Sequence, residues 1–335
     1  MKSLISIDDF IKLTKSDEKY IIFDCRFDLH DKTYGRKSYL SGHIVGAHFI
    51  DVEHDLTESI SENGHGGRHP YKNPRTLQTL LQIHGITNDT TIIVYDDGEM
   101  QGAGRLVFQL RSIGHKKVYA LDGGLTVYKS KNLPIETTIN LPSYKLYTDN
   151  NYEFSKHCPM FKKGHNVFDC NKDDQEDGNF SINDLRETNS VESKYIIDTD
   201  NDMFVDMNYV KSKLYDENTV IVDSRSHNRY KGEIEPIDKV AGHIPSAKSY
   251  FYEDALDIKK LLDGANTSFK NIDVLNEHFK NLRDKNEVII YCGSGISLNV
   301  NALALEMCGI DFKIYPGSYS DWISYDENDI KTGDE

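Results

Sequence analysis

The sequence has few of the features that mark membrane, secreted or nucleic-acid-binding proteins. It contains no apolar run of 18 residues, so no transmembrane helix is predicted. The start of the chain lacks the apolar core and cleavage site of a signal peptide. Basic residues are in the minority, with 39 Lys and Arg against 54 Asp and Glu, and the net charge is −15. This balance argues against a nucleic acid or a membrane as the partner.

Cysteine is also scarce, and its five copies form no Cys-x-x-Cys pair. Such usage is typical of a reducing compartment, so a cytoplasmic location is predicted. Two cysteines and two histidines do lie close together, but their spacing matches no paired-ligand pattern of a zinc site; they are His157, Cys158, His165 and Cys170. The sequence therefore predicts neither a metal nor a cofactor.

An internal repeat is the most informative pattern in the chain. Four segments of the first half recur in the same order about 200 residues later. The pairs are 21–26 with 220–225, 41–47 with 241–247, 91–96 with 287–292, and 119–124 with 313–318. Each half alternates short apolar runs with helical patterns, which is typical of an α/β domain with a mainly parallel sheet. The sequence thus predicts two tandem domains, at 1–140 and 203–335, joined by a connector at 141–202 with an acidic insertion.

Cys292 follows a short apolar run that predicts a buried strand, and a helical pattern begins a few residues after it. Ligands of a parallel sheet bind at the carboxyl ends of its strands, where this cysteine lies. Backbone amides of the intervening loop and the helix dipole favour a thiolate there, and Gly293 and Gly295 permit the tight curl. Cys292 is therefore the candidate nucleophile.

Asp96 occupies the position of Cys292 in the first half. A carboxylate cannot replace a thiolate in nucleophilic sulfur chemistry. Only the second half is therefore expected to be catalytic, with the first half forming one wall of the cleft.

With these motifs in both halves, the chain resembles the two-domain rhodanese-like sulfurtransferases. The resemblance rests on Gly42-His43-Ile44 in the first half, and on Gly242-His243-Ile244 and the loop at 292–297 in the second. It implies a doubly wound α/β domain used twice, with helices on both faces of each sheet. The implied reaction forms a persulfide on Cys292 and passes its sulfur to cyanide, a thiol or a protein cysteine.

The resemblance also implies roles for the residues around the nucleophile. Ser294 and His43 would aid proton movement, with Asp31 the nearest candidate for the aspartate of the relay, and Arg229 would bind a small anionic sulfur donor. The loop residues would hold the donor and the sulfur anion through their backbone; they are Gly293, Gly295, Ile296 and Ser297. A shared fold role is an alternative for His43, because His243 occupies the same place in the other half. Asp223 and Arg225 are interpreted as a structural pair.

The sequence leaves two candidate sulfur donors, 3-mercaptopyruvate and thiosulfate. A Cys-Gly-Ser-Gly loop resembles that of the 3-mercaptopyruvate enzymes, whereas thiosulfate enzymes carry two cations in the loop. The second arginine of the mercaptopyruvate enzymes is missing here, since Ile237-Asp238-Lys239 stands in its place. Lys239 is considered as its replacement, although lysine lacks the bidentate contact of arginine. The glycine-rich stretch 64–70 is interpreted as a flexible surface loop at the rim of the cleft.

A phosphatase and a persulfide carrier are the two alternatives to a sulfurtransferase. Phosphatases of the same fold need an arginine six positions after the cysteine, and that position holds Leu298. A non-enzymatic persulfide carrier that serves one protein partner remains open.

Overall fold

Each half of the chain builds its own α/β unit. The computed structural model describes residues 3–140, 195–199, 202–263 and 266–334. In chain order, the elements of the first half are β1 (Leu4–Ile5), α1 (Ile7–Thr14), β2 (Tyr20–Asp24), α2 (Tyr34–Ser41), β3 (His43–Ile44), β4 (Ala47–Phe49), α3 (Pro74–Ile83), β5 (Thr91–Tyr95), α4 (Gln101–Ser112), β6 (Val118–Leu121), α5 (Gly124–Ser130) and β7 (Ile135–Glu136).

The elements of the second half have a similar order, with central strands of the same length and shorter helices. They are α6 (Met207–Ser212), β8 (Thr219–Asp223), α7 (His227–Lys231), β9 (Lys248–Ser249), α8 (Ile258–Leu262), α9 (Ile272–His278), β10 (Glu287–Tyr291), α10 (Leu298–Met307), β11 (Lys313–Ile314) and α11 (Ser318–Trp322). Short 3₁₀ turns at Tyr252–Ala255 and Lys280–Leu282 complete it.

Both main sheets are parallel. The first has the strand order β1-β6-β5-β2-β4, and the second has the order β11-β10-β8-β9. A separate antiparallel pair joins β3 and β7. The central strands pair in the same register in both halves, with Asp24 beside Tyr95 and Asp223 beside Tyr291 at the carboxyl ends. The predicted fold of two mainly parallel α/β domains is confirmed.

Side chains of the central strands alternate between two apolar layers, as the period of two dictates. On β5, Ile92 and Val94 face the layer that contains α3 and α4, while Ile93 and Tyr95 face the layer of α1 and α5. Both faces of the sheet are therefore covered, which parallel sheets require.

One apolar core is common to the two halves. It contains side chains from α4 and α10, which pack against each other between the two sheets. Gly104 on α4 makes this contact close, since a Cβ there would lie 2.9 Å from Cβ of Asn299 on α10. The two units consequently share a buried interface.

The predicted connector at 141–202 lies largely outside the described residues, and so do the four residues considered for zinc. Of its described part, Tyr195 is buried and packs on His115 of the first half, with ring centroids 5.7 Å apart. The predicted domain limits stay predictions. No helix among the described residues is long and apolar enough to cross a bilayer.

Candidate active site at the interface of the two domains

Cys292 lies directly after β10, and α10 begins six residues later. Its side chain is almost completely buried. The Gly295 backbone N–H donates to Sγ at 3.2 Å, and Oγ of Ser318 lies 3.9 Å from the sulfur. The expected loop between strand and helix is thus present, with a backbone amide and a hydroxyl beside the sulfur. Such donors stabilise an anion at this position.

Gly295 is needed for the shape of this loop. Its φ is +80°, a left-handed conformation that side chains rarely adopt, and a Cβ there would lie 2.5 Å from the Pro316 carbonyl oxygen. The start of α11 holds the loop from the other side, because the Tyr319 N–H donates to the Cys292 carbonyl at 2.9 Å. The amide that faces the sulfur is therefore fixed before any ligand binds.

Ser294 is hydrogen-bonded to a histidine from the first half. Nδ1 of His69 lies 2.7 Å from Oγ of Ser294, and Nε2 of His69 lies 3.1 Å from Oε1 of Glu53. The hydrogen bond from His69 lowers the pKa of the Glu53 carboxyl, so Glu53 is an anion at neutral pH. The three side chains form a serine–histidine–carboxylate chain across the interface.

The structure does not bring His43 to Ser294. The His43 ring is completely buried, stacks on Tyr39 with centroids 3.7 Å apart, and its Nδ1 lies 2.7 Å from the Tyr39 carbonyl oxygen. His243 makes the same stack on Tyr230 and the same contact with its carbonyl. A residue that serves one fold role in both halves is not placed for chemistry at Cys292. The alternative of a shared fold role accounts for His43, and His69 takes the position expected for it.

The carboxylate in the serine–histidine–carboxylate series is also not the one predicted. Asp31 is exposed and accepts hydrogen bonds from Thr33, at 2.9 Å from the backbone and 2.6 Å from the hydroxyl. Glu53 occupies the place next to His69 instead. One methylene more than aspartate lets this side chain reach the ring from the segment that follows β4.

Two guanidinium groups flank the catalytic loop. A Cβ built on Gly293 would lie 3.2 Å from an Arg68 nitrogen and 3.5 Å from an Arg229 nitrogen. Arg229 also donates to Glu235 and to Asp238, both at 2.8 Å, and Arg68 forms an ion pair with Asp238. Burial and the neighbouring Arg229 lower the pKa of Arg68 to about 10, so Arg68 stays cationic at neutral pH. Arg229 is therefore beside the loop as predicted from the resemblance.

The second cation comes from an unexpected place. The glycine-rich stretch 64–70 is not a free surface loop, because it inserts between the domains and delivers both Arg68 and His69. The Arg68 N–H donates to Oγ of Ser320 at 3.0 Å, which ties this loop to α11. Lys239, considered as the replacement, has an exposed side chain. A second guanidinium group beside the loop therefore comes from the first half.

A third arginine, Arg105, also contacts the loop, and like Arg68 it belongs to the first half. Arg105 on α4 is completely buried and donates to the Gly295 carbonyl at 2.9 Å. Its other nitrogen donates to carbonyl oxygens of the first half, at 2.8 Å to Leu56 and 2.9 Å to His69. No carboxylate forms an ion pair with it in the described part of the chain. Burial lowers the Arg105 pKa to about 10, opposed in part by the nearby Cys292.

Asp96 occupies the equivalent loop of the first half. Its carboxylate accepts hydrogen bonds from the backbone N–H groups of Gly98 at 2.9 Å, Met100 at 3.1 Å and Ala103 at 3.2 Å. Burial raises its pKa to about 6. This loop therefore holds a carboxylate of its own chain in the place where the other loop holds sulfur.

The remaining predicted residues are Ile296 and Ser297 of the loop and the pair of Asp223 and Arg225. The Ile296 side chain is buried in the shared core, and Ser297 precedes α10 without a side-chain capping bond. Asp223 and Arg225 form a buried pair at 2.6 Å, which confirms their interpretation as structural. Arg26 and Asp24 repeat this pair, also at 2.6 Å, in the first half.

Comparison with known proteins agrees with this arrangement. The model of the rhodanese-like domain matches residues 6–131 and again 206–325. A Pseudomonas aeruginosa protein named "Probable 3-mercaptopyruvate sulfurtransferase" is 30% identical over 324 residues, which cover 95% of this chain and 94% of the relative. The 3-mercaptopyruvate sulfurtransferase of Escherichia coli is 24% identical, covering 85% of this chain and 82% of its own.

A solved structure shows the same fold over the whole length. The Tum1 protein of Saccharomyces cerevisiae superimposes with a TM-score of 0.69 at 21% identity, covering 100% of this chain and 99% of that one. The chain belongs to the rhodanese-like family and carries the domain twice, as predicted. Its near full-length relatives are sulfurtransferases, and the prediction of this enzyme class is confirmed.

Proposed function

We propose that the protein transfers sulfur from 3-mercaptopyruvate to a thiophilic acceptor through a persulfide on Cys292. The observation that carries this proposal is the chain of Ser294, His69 and Glu53 beside the buried sulfur. Cleavage of mercaptopyruvate moves a proton, whereas cleavage of thiosulfate does not. A relay of proton carriers is therefore useful for the first donor and idle for the second.

In the first step the Cys292 thiolate attacks the donor sulfur. A sulfur–sulfur bond forms, the carbon–sulfur bond breaks, and its electron pair goes to the methylene carbon as the enolate of pyruvate. His69 takes up the proton that the donor's thiol group loses, and Glu53 stabilises the imidazolium that forms. Ser294 donates its own proton to the methylene carbon and regains one from His69, so that pyruvate, neutral His69 and the Cys292 persulfide anion remain.

The two cations account for binding of the donor. Arg68 and Arg229 present guanidinium nitrogens to the Gly293 side of the loop, where a carboxylate and an adjacent carbonyl oxygen would accept from them. The Gly295 amide then holds the persulfide anion as it holds the thiolate.

In the second step the persulfide gives its outer sulfur to cyanide, a thiol or a protein cysteine, and Cys292 leaves as a thiolate. An oxidising compartment would convert the regenerated Cys292 thiolate to a disulfide or a sulfenic acid. We therefore assign the reaction to a reducing compartment such as the cytoplasm, in keeping with the free thiols of Cys25, Cys292 and Cys308.

Parallel assays with the two donors test the proposal, with cyanide as the acceptor. We expect His69→Ala to lower kcat with mercaptopyruvate about 100-fold, the scale of general acid–base catalysis, and to change the thiosulfate rate less than about 3-fold. Cys292→Ser should abolish both reactions. His65→Ala is the matched control, because His65 lies in the same loop but stacks on Tyr325. An equal loss with both donors, or turnover by Cys292→Ser, would contradict the mechanism.

A further inference from the structure

Asp238 lies between the two guanidinium groups of the proposed donor site. One carboxylate oxygen accepts from Arg229 at 2.8 Å, and the other is paired with Arg68. The side chain is 2% exposed, and its own backbone N–H donates to Glu235 at 2.9 Å, which fixes the segment that carries it. Asp238 is thus a buried carboxylate that pairs with both guanidinium groups.

Both arginines contact this anion and the loop at the same time. Arg68 pairs Nη1 with Asp238, and its Nη2 would lie 3.2 Å from a Cβ on Gly293. Arg229 donates from Nη2 to Asp238, while its Nη1 and Nη2 would lie 3.5 and 3.6 Å from that Cβ. Each guanidinium group is therefore paired with Asp238 and also faces the loop at Gly293.

The charge balance of the site follows from these pairs. Two cations, Arg68 and Arg229, are offset by two carboxylates, Glu235 and Asp238. An incoming anion therefore meets no net positive charge from these four groups. The guanidinium nitrogens beside Gly293 can still donate to a single carboxylate. A dianion gains no additional net attraction from the group and has more hydration to lose.

We propose that Asp238 determines donor specificity, excluding dianionic donors such as thiosulfate in favour of donors with one carboxylate. This inference rests on the proposed function, because it names the class of donor that the same site accepts. It also explains how the site differs from one that binds a dianion with uncompensated cations. Asp238 acts through Arg68 and Arg229 and is a specificity-determining residue, not a group that touches the reacting atoms.

Asp238→Asn tests the inference, because it removes one charge and keeps the size and an acceptor oxygen. We expect kcat/KM for thiosulfate to rise at least 10-fold through a lower KM, while kcat/KM for mercaptopyruvate changes less than about 3-fold. The matched control is Glu233→Gln, which removes the same charge from an exposed position of the same segment and should leave the ratio of the two donors unchanged.

Competitive inhibition gives a second readout that does not depend on thiosulfate turnover. Sulfate and pyruvate are titrated against mercaptopyruvate with wild type, Asp238→Asn and Asp238→Ser. We expect the inhibition constant of sulfate to fall at least 10-fold in both variants and that of pyruvate to change less.

The outcomes separate the two proposals. An active wild-type enzyme whose variants show an unchanged donor ratio and unchanged sulfate inhibition would overturn the role of Asp238 alone. Equal losses with both donors would make Asp238 a structural clamp and overturn it as well. A wild-type protein that transfers sulfur from neither donor would overturn the proposed function, and the inference with it.

Discussion

Arg68 is a side chain of the first domain that reaches the proposed donor site. Its backbone is tied to Ser320 of the second domain, and its guanidinium lies beside Gly293 and pairs with Asp238. Every one of these contacts crosses the interface. A charge-assisted hydrogen bond of this kind is worth about 1.5–3 kcal/mol, which corresponds to about 10- to 100-fold in affinity.

We therefore expect Arg68→Ala to raise the KM for mercaptopyruvate about 10- to 100-fold, with a smaller effect on kcat. Steady-state kinetics at constant ionic strength measure this. Arg75→Ala, which removes an exposed arginine at the start of α3, serves as the control and should behave as wild type. An unchanged KM in Arg68→Ala would show that Arg229 alone holds the donor.

Single residues also show which parts of the site can be predicted from the sequence. Cys292 and Arg229 were predicted because each belongs to a short motif that follows a strand. His69 and Arg68 were missed because their loop lies outside the four matched segments of the repeat, and their contacts with Ser294 and Ser320 join residues 225 and 252 positions apart. The available signal was that 64–70 carries a histidine and an arginine, whereas the stretch before β10 in the second half has neither at 264–269.

The helices α4 and α10 connect the two halves of the site at the level of whole elements. Arg105 on α4 donates to the Gly295 carbonyl, and Asn299 on α10 donates to the same oxygen at 3.1 Å. The catalytic loop is consequently held by a helix from each domain. The alternating pattern predicted both helices, but their mutual packing depends on Gly104, whose significance appears only once the second helix is beside it.

Replacement of Arg105 tests this link. Arg105→Met keeps much of the volume but leaves the His69 carbonyl without this buried donor, at about 1–3 kcal/mol. The carbonyls of Gly295 and Leu56 each lose one of two donors, because Asn299 and Gln109 still donate to them. We therefore expect a loss of about 2 kcal/mol in the free energy of unfolding, measured with urea. Lys129→Met on α5 is an exposed control and should change it by less than about 0.5 kcal/mol. A loss no larger than that of the control would show that Arg105 does not support the loop.

At the scale of the whole molecule, the two domains exchange loops across a pseudo-two-fold arrangement. The Gly66 N–H of the first domain donates to Asp321 of the second at 2.7 Å, and the Ser268 N–H of the second donates to Asp122 of the first at 2.9 Å. The repeat in the sequence predicted two similar folds, and it could not show which loops cross. Crossing depends on contacts between distant segments, for which a single sequence has no local pattern.

Buried carboxyl groups of the first domain make stability depend on pH. Burial, with a smaller contribution from Asp51, raises the pKa of Asp55 from 3.8 to about 6. The folded state thus holds this proton more tightly than the unfolded chain, so the stabilisation is full below pH 4 and is lost as the pH rises through about 6.

Asp55→Asn should remove this part of the pH dependence. Between pH 5 and pH 8 we expect the free energy of unfolding to fall by about 1 kcal/mol less in the variant than in wild type. Urea unfolding at the two pH values measures the difference. Asp89→Asn, an exposed carboxyl of the same domain, is the control. Parallel slopes for wild type and Asp55→Asn would show that Asp55 ionises normally in the folded state.

The insertion of the 64–70 loop has a consequence for whether one repeat can be exchanged for that of another protein. The proposed nucleophile belongs to one repeat, while Arg68, His69 and Arg105 belong to the other. A hybrid that joined the first domain to the second domain of a relative would place a different cysteine loop against these three side chains. Both repeats build one site, so that neither domain alone contains all of its side chains.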